Sequence, residues 1–236
     1  MAPDAYPGEE GFGQMKPCPS CVARGEEAEA HKLWALADVP PKHADCRFET
    51  YDVHLFPDDF LRDGKRHPVA GRTQRAAATE AVSETRRWAS GEGEPFLMLL
   101  SPPGTGKTHL AVAAIYRLTR ARKVCLYLPG GILAAKARSG DREGLQPFFE
   151  HIQTVQVLVL DDVGAEYDSE YLRSVYHGII DTRYRNPELR TLVISNHSEA
   201  ELTVRLGPRV IDRLVEKATG IAVVIEAESV RERRPT

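Results

Sequence analysis

Long apolar runs are missing from these 236 residues. No stretch approaches the ~18 consecutive apolar positions that a bilayer-crossing helix needs, so no membrane contact is expected. The N-terminus carries Asp4, Glu9 and Glu10 and has no apolar core, which argues against a secretory signal. The expectation is therefore a cytoplasmic protein. Cysteine is scarce, with four residues in all, and in a reducing compartment these are expected as thiols or metal ligands rather than disulfides. An excess of positive charge is also missing. At a net charge of −3 no bulk field draws this chain to nucleic acid, so any such contact needs a local patch. Internal repeats and heptads are absent, which excludes solenoids and long coiled coils.

What is present is enough apolar material, 42%, for one sizeable core plus an extension. Residues 1–50 are rich in Pro and Gly, have poor apolar periodicity and hold three of the four cysteines. They read as a small irregular N-terminal extension. Residues 51–90 read as a linker followed by a leading helix over 73–88, with Ala77, Ala81 and Trp88 on one face. From 91 to 236, apolar runs alternate with helical patterns. The runs are 96–100, 124–128, 155–160, 191–195 and 221–225, and the helices are expected near 107–121, 130–138, 168–185 and 198–215. Continuous apolar runs imply strands buried on both faces. The fold class expected is α/β, a doubly wound parallel sheet of five strands with flanking helices, whose ligand chemistry belongs at the carboxyl ends of the strands.

The first apolar run leads into Ser101-Pro102-Pro103-Gly104-Thr105-Gly106-Lys107-Thr108, and a helical pattern follows. Strand, glycine turn and helix in this order make a phosphate cradle. Gly104 and Gly106 let backbone N–H groups approach an anion, and the helix N-terminus faces it with its positive dipole end. Lys107 reaches the β- and γ-phosphates, and the Thr108 hydroxyl ligates Mg²⁺. The usual signature starts with Gly where this chain has Ser101; Ser is small, and we read it as a tolerated variant.

About fifty residues on, the run Val155–Leu160 ends in Asp161-Asp162. Two adjacent acids closing an apolar strand are costly without a cation or a polarised water to serve. Asp161 is expected to hold Mg²⁺ and Asp162 to orient or deprotonate the attacking water; ordinary acids of a solvated turn are the alternative. A further run ends in Asn196, placed to hold that water or to sense the γ-phosphate, or else to cap the helix that follows. Arg209 and Arg213, four apart, share one helix face. They suit a phosphate on a neighbouring subunit or, alternatively, a solvated basic face. Arg231 follows the last run with the same two readings.

Together these residues resemble the AAA+ ATPases. More closely they resemble bacterial and phage replicative helicase loaders of the DnaC/DnaI type. The resemblance is carried by Pro102 to Leu110, Leu160 to Glu166, Ile180 to Tyr184, Ser195-Asn196, Leu206 to Leu214 and Glu228 to Arg231, with Val39 to His43 upstream. It covers about residues 40–236. It implies that Pro103, Gly104, Thr105, Gly106, Lys107, Thr108 and His109 bind ATP, with Thr108 and Asp161 on Mg²⁺. It implies that Asp162 promotes hydrolysis, that Asn196 is a first sensor, and that Arg213, with Arg209 second, is a finger offered to the next subunit. Arg231 is implied as a second sensor in the same subunit. The resemblance also implies a weak or stimulated ATPase that assembles through its ATP site and delivers a hexameric replicative helicase to single-stranded DNA.

Loaders of this kind often carry an N-terminal zinc module. Cys18 and Cys21 have the two-residue spacing of zinc ligands, but a second pair is missing, and Cys46 with His31 or His43 completes a set only at irregular spacing. Zinc and a metal-free segment both stay open. So do two readings of Leu128–Phe149. In one, Lys136, Arg138, Arg142 and Phe148 or Phe149 contact DNA; in the other, they form a solvated helix with core aromatics. The closest rival client is a transposase, served by ATPase helpers of the IstB type.

Overall fold

The computed structural model describes residues 19–62, 65–67, 71–139, 142–165, 170–215, 220–225 and 227–230. Its first element, helix α1 (Pro19–Leu36), differs from the sequence expectation of an irregular end. The buried stripe is made of Ala30, Leu33 and the following Ala37, small residues among charges, which leaves little periodic signal. The helix packs on α3 (Lys107–Arg120) and β4 (Cys125–Pro129). Trp34 meets Tyr116 edge-on at 5.8 Å, and the Arg47 guanidinium lies 3.5 Å from the Tyr116 ring centroid. Ala37, Phe48 and Phe56 belong to the same apolar cluster as the strands. Residues 30–56, which the sequence sets apart, thus share the core of the sheet.

A short hairpin, β1 (Phe60–Arg62) and β2 (Lys65–His67), precedes α2 (Gln74–Ala89), whose N-cap Thr73 accepts from the Ala76 N–H. Ala77, Ala78, Ala81 and Trp88 form its buried face. The main sheet adds β3 (Phe96–Leu100), β5 (Val157–Asp161), β6 (Arg190–Ser195) and β7 (Gly220–Val224) to β4. All five strands are parallel, in the order β4-β5-β6-β3-β7. Successive side chains of β3 go to opposite layers. Leu97 and Leu99 join the cluster under α2 and α3, while Phe96, Met98 and Leu100 join the cluster on the other face. That second layer holds α4 (Gly130–Arg138), α6 (Glu170–Tyr184), α7 (Glu199–Leu206) and α8 (Pro208–Val215), with α5 (Arg142–Thr154) packed on α6.

Two helices depart from the expected pattern. The single helix anticipated over 198–215 is broken at Gly207, which takes φ +91°, and at Pro208, which has no N–H to continue a ladder. Helix α5 carries Pro147 in its interior, which masked it as a helix in the sequence. Phe148 and Phe149 are partly buried and pack against the second-layer core, with the Lys136 ammonium 4.8 Å from the Phe148 ring centroid.

The second layer contains a buried cation, Arg183, at 0% exposure. It donates to Thr191 Oγ1 (2.7 Å), Arg190 O (2.7 Å), Val155 O (2.8 Å) and Ile152 O (3.1 Å). Burial lowers its pKa to about 10. The carbonyls of the α5 C-terminus compensate the charge, as the negative end of a helix dipole does, and the bonds to Thr191 and Arg190 tie α6 to β6.

Candidate active site

The carboxyl ends of β3, β5 and β6 converge on a cleft of about 560 Å³. Its walls include Pro103, Gly104, Gly106, Lys107, Thr108, His109, Asp161, Asp162 and Asn196. Residues that sequence reasoning placed in three separate motifs are therefore brought together.

The phosphate loop follows β3. Gly104 (φ +90°) and Gly106 (φ +87°) take left-handed conformations that a Cβ disfavours. Both are also hemmed in from behind. A Cβ at Gly106 would lie 2.5 Å from the Tyr51 ring, and one at Gly104 would overlap Ser229 Oγ. Gly106 is the N-cap of α3 and provides no side chain to cap it. The first N–H groups of α3 are thereby left for an anion.

Lys107 is nearly buried, and its ammonium donates to Ser101 O (2.7 Å), Asn196 Oδ1 (2.8 Å), Pro102 O (3.0 Å) and Ser101 Oγ (3.1 Å). Ser101 Oγ also bonds Thr105 Oγ1. Ser101 therefore supplies a hydroxyl that the usual glycine cannot, and it braces both Thr105 and Lys107. Thr105 is fully buried, and its carbonyl accepts from Tyr51 Oη at 2.7 Å. His109 lines the cleft while its Nε2 lies 2.7 Å from Arg47 O and 3.1 Å from Thr50 Oγ1. That ring ties the N-terminal segment to α3.

On β5, Asp161 is 7% exposed, and its Oδ2 accepts from Thr108 Oγ1 at 3.0 Å and from the Tyr127 hydroxyl. Asp162 has φ +58°, a left-handed conformation rare for a non-glycine residue. Its Oδ1 accepts from Asn196 Nδ2 at 2.6 Å. Asn196 thus bonds Lys107 through its oxygen and Asp162 through its nitrogen. The turn behind Asp162 is stitched to β6, since Val163 N donates to Ile194 O (2.9 Å) and Ser195 Oγ donates to Val163 O (2.6 Å).

The chemistry of this set fits a magnesium nucleotide. A hydroxyl and a carboxylate at 3.0 Å are oxygen donors for a hard cation, and an ammonium beside an uncapped helix N-terminus suits a phosphate. The chain belongs to the family of IstB-like ATP binding proteins. That family matches residues 72–236. The replicative helicase loader DnaC of Escherichia coli strain K12 is 26% identical over 200 residues, 83% of this chain and 73% of that protein. The insertion sequence IS21 putative ATP-binding protein of Pseudomonas aeruginosa is 27% identical over 161 residues, 66% of this chain and 60% of that protein. The crystal structure of DnaI shares the fold with a TM-score of 0.63 at 20% identity, covering 85% of this chain and 100% of that one. This is a DnaC-like AAA+ P-loop fold.

Other expected residues lie elsewhere. Arg209 is exposed on α8. Arg213 is 15% exposed, pairs with Asp181 of α6 and sits 5.3 Å from the Tyr184 ring centroid. Neither lines the cleft of its own subunit. Arg231 and Cys18 lie outside the described residues, as do the side chains of Cys21 and Arg142. Cys46 and His43 line the nucleotide cleft, and among the described residues no three side chains form a metal-binding cluster. No described helix is long and apolar enough to cross a membrane.

Sequence reasoning missed Tyr51, Ser101 as a brace, Tyr127 and the Lys42–Cys46 wall of the cleft. For Tyr127 the register holds the signal. It pairs with Val159, two residues before Asp161, so Tyr127 and Asp161 share a face of the sheet.

Proposed function

We propose that this chain is an ATP-driven loader that binds a ring-shaped replicative helicase and delivers it to single-stranded DNA. ATP binding and hydrolysis act as the switch. The observation that carries the ATPase reading is the continuous set Lys107–Asn196–Asp162 beside Thr108–Asp161 in one cleft. The helicase as client is supported by likeness to a named loader along 83% of the chain.

In this reading Lys107 and the α3 N-terminus hold the β- and γ-phosphates. Thr108 and Asp161 hold Mg²⁺, which when bound neutralises phosphate charge. Asp162 orients and deprotonates the attacking water. Asn196, already bonded to Lys107 and Asp162, reports the state of the γ-phosphate to both. Catalysis is by positioning and charge neutralisation, without a covalent intermediate. Arg213, with Arg209 beside it on α8, completes the site of a neighbouring copy, and Arg231 acts as second sensor. Within residues 1–50, the part that does not pack into the core recruits the client, and Cys18 and Cys21 belong to that contact with or without zinc.

A second reading, an ATPase helper of a transposase, is favoured by the family match and by the insertion-sequence relative. Capture on the immobilised protein, with and without a non-hydrolysable ATP analogue, separates the two. Retention of the hexameric helicase when nucleotide is present is expected. Retention of a transposase alone would transfer the client to the second reading.

A further inference from the structure

The mechanism above leaves unused a buried hydroxyl that touches the carboxylate assigned to magnesium. Tyr127 lies on β4, outside both the phosphate loop and the acidic strand end, and is 4% exposed. Its hydroxyl donates to Asp161 Oδ2, the oxygen that also accepts from Thr108. Its neighbours Cys125 and Leu128 are apolar and buried. A phenylalanine of the same shape would fill the space equally well, so the hydroxyl is the feature to explain.

We propose that Tyr127 is a positioning residue for the magnesium-holding carboxylate. It fixes which oxygen and which rotamer Asp161 presents to the cleft. The inference rests on the magnesium-nucleotide reading of this site.

The two donors to Oδ2 differ in kind. Thr108 sits on the first turn of α3 and is itself assigned to the cation, so its bond to Asp161 is one that the cation competes for. Tyr127 comes from a neighbouring strand held in register at Tyr127↔Val159 and Pro129↔Asp161. Its bond needs no rearrangement when the cation arrives. A charge-assisted bond from a buried donor is among the stronger ones. Both bonds fall on Oδ2 and neither on Oδ1.

The test is calorimetric titration of a non-hydrolysable ATP analogue into the full-length wild-type protein and Tyr127→Phe, in EDTA and across a Mg²⁺ series. The expected result for Tyr127→Phe is EDTA affinity within about twofold of wild type and a Mg²⁺ midpoint raised about tenfold or more, the loss of about one hydrogen bond to a charged group. A purely structural hydroxyl would lower the melting temperature and leave the Mg²⁺ midpoint in place, and that outcome overturns the proposal. A wild-type protein that binds the analogue equally well with and without Mg²⁺ contradicts the magnesium reading itself. If Tyr127→Phe does not fold, wild-type protein with ring-labelled tyrosine gives the answer. The Tyr127 resonance is expected to shift when Mg²⁺ joins the bound analogue, and an unmoved resonance overturns the proposal.

Discussion

Lys107, Thr108, Asp161, Asp162 and Asn196 are joined by hydrogen bonds within a single subunit, whereas the arginines of α8 line no part of that subunit's cleft. The first group is assembled by strand register. β3, β5 and β6 are adjacent in the sheet and end together, so their terminal residues meet without any partner. The second group is held on the far layer, with Arg213 engaged by Asp181 and Arg209 in solvent. The difference teaches a division of labour. In the proposed reading one copy of the chain suffices to grip a nucleotide, and the positive charge still wanting at the γ-phosphate comes from a neighbouring copy. The same contrast appears in how the groups are fixed. The cleft residues bond one another, Lys107 and Asp161 from buried positions and Asp162 and Asn196 from exposed ones, while in the proposed reading Arg213 must trade an internal carboxylate for an external phosphate.

The widest separation between the two groups is expected from Arg213→Ala. Stimulated hydrolysis should fall on the order of 10³-fold, the scale of an arginine finger, while nucleotide binding by the isolated subunit stays unchanged. Mixing Arg213→Ala with Lys107→Ala should restore part of the activity, because each copy then supplies what the other lacks. No recovery at any ratio would place the arginine's role inside its own subunit and erase the contrast. Next in size is Asp162→Asn. Hydrolysis should drop roughly 10²-fold or more, as for loss of a general base, with analogue binding retained in calorimetry. Retained turnover would move the base elsewhere in the cleft.

Smaller effects probe how the cleft is braced. Gly106→Ala puts a methyl group 2.5 Å from the Tyr51 ring at a φ of +87°. A destabilisation of about 2–3 kcal/mol is expected from strain and overpacking together, read by urea denaturation. Full stability would show that the N-terminal segment is not seated on the loop. Smallest is Tyr51→Phe, which removes one hydrogen bond to Thr105 O and should cost about 1 kcal/mol in the same assay. A change in Arg213-dependent hydrolysis with no change in stability would instead link this brace to the second group.

Much of this was legible in the chain. The doubly wound parallel sheet follows from apolar runs too continuous to be half-exposed, and the phosphate loop and the Asp161-Asp162 pair announce themselves by chemistry. What escaped was of two physical kinds. Helix α1 and the residue after it bury small side chains, Ala30 and Ala37 beside Leu33, so the apolar stripe is too faint to stand out, and the N-terminal segment looks detached when it is part of the core. Helix α5 hides behind Pro147, and the α7–α8 break at Gly207-Pro208 was readable yet passed over. The second kind is contact across sequence distance. Tyr51 on Thr105, Ser229 against Gly104 and Tyr127 on Asp161 depend on which distant segments the fold brings side by side. No local spacing encodes that. Arg183 belongs to the same kind, because its acceptors come from the end of α5 and from β6.

The central claim is that a single subunit grips a magnesium nucleotide through Lys107 and the loop around it. Calorimetric titration of a non-hydrolysable ATP analogue with Mg²⁺ into wild type and Lys107→Ala tests it most directly. The account predicts saturable binding at one site per chain in wild type, weakened at least ~100-fold in the variant, or about 2.7 kcal/mol. The absence of any binding heat in wild type, or equal affinity in the two proteins, would contradict it.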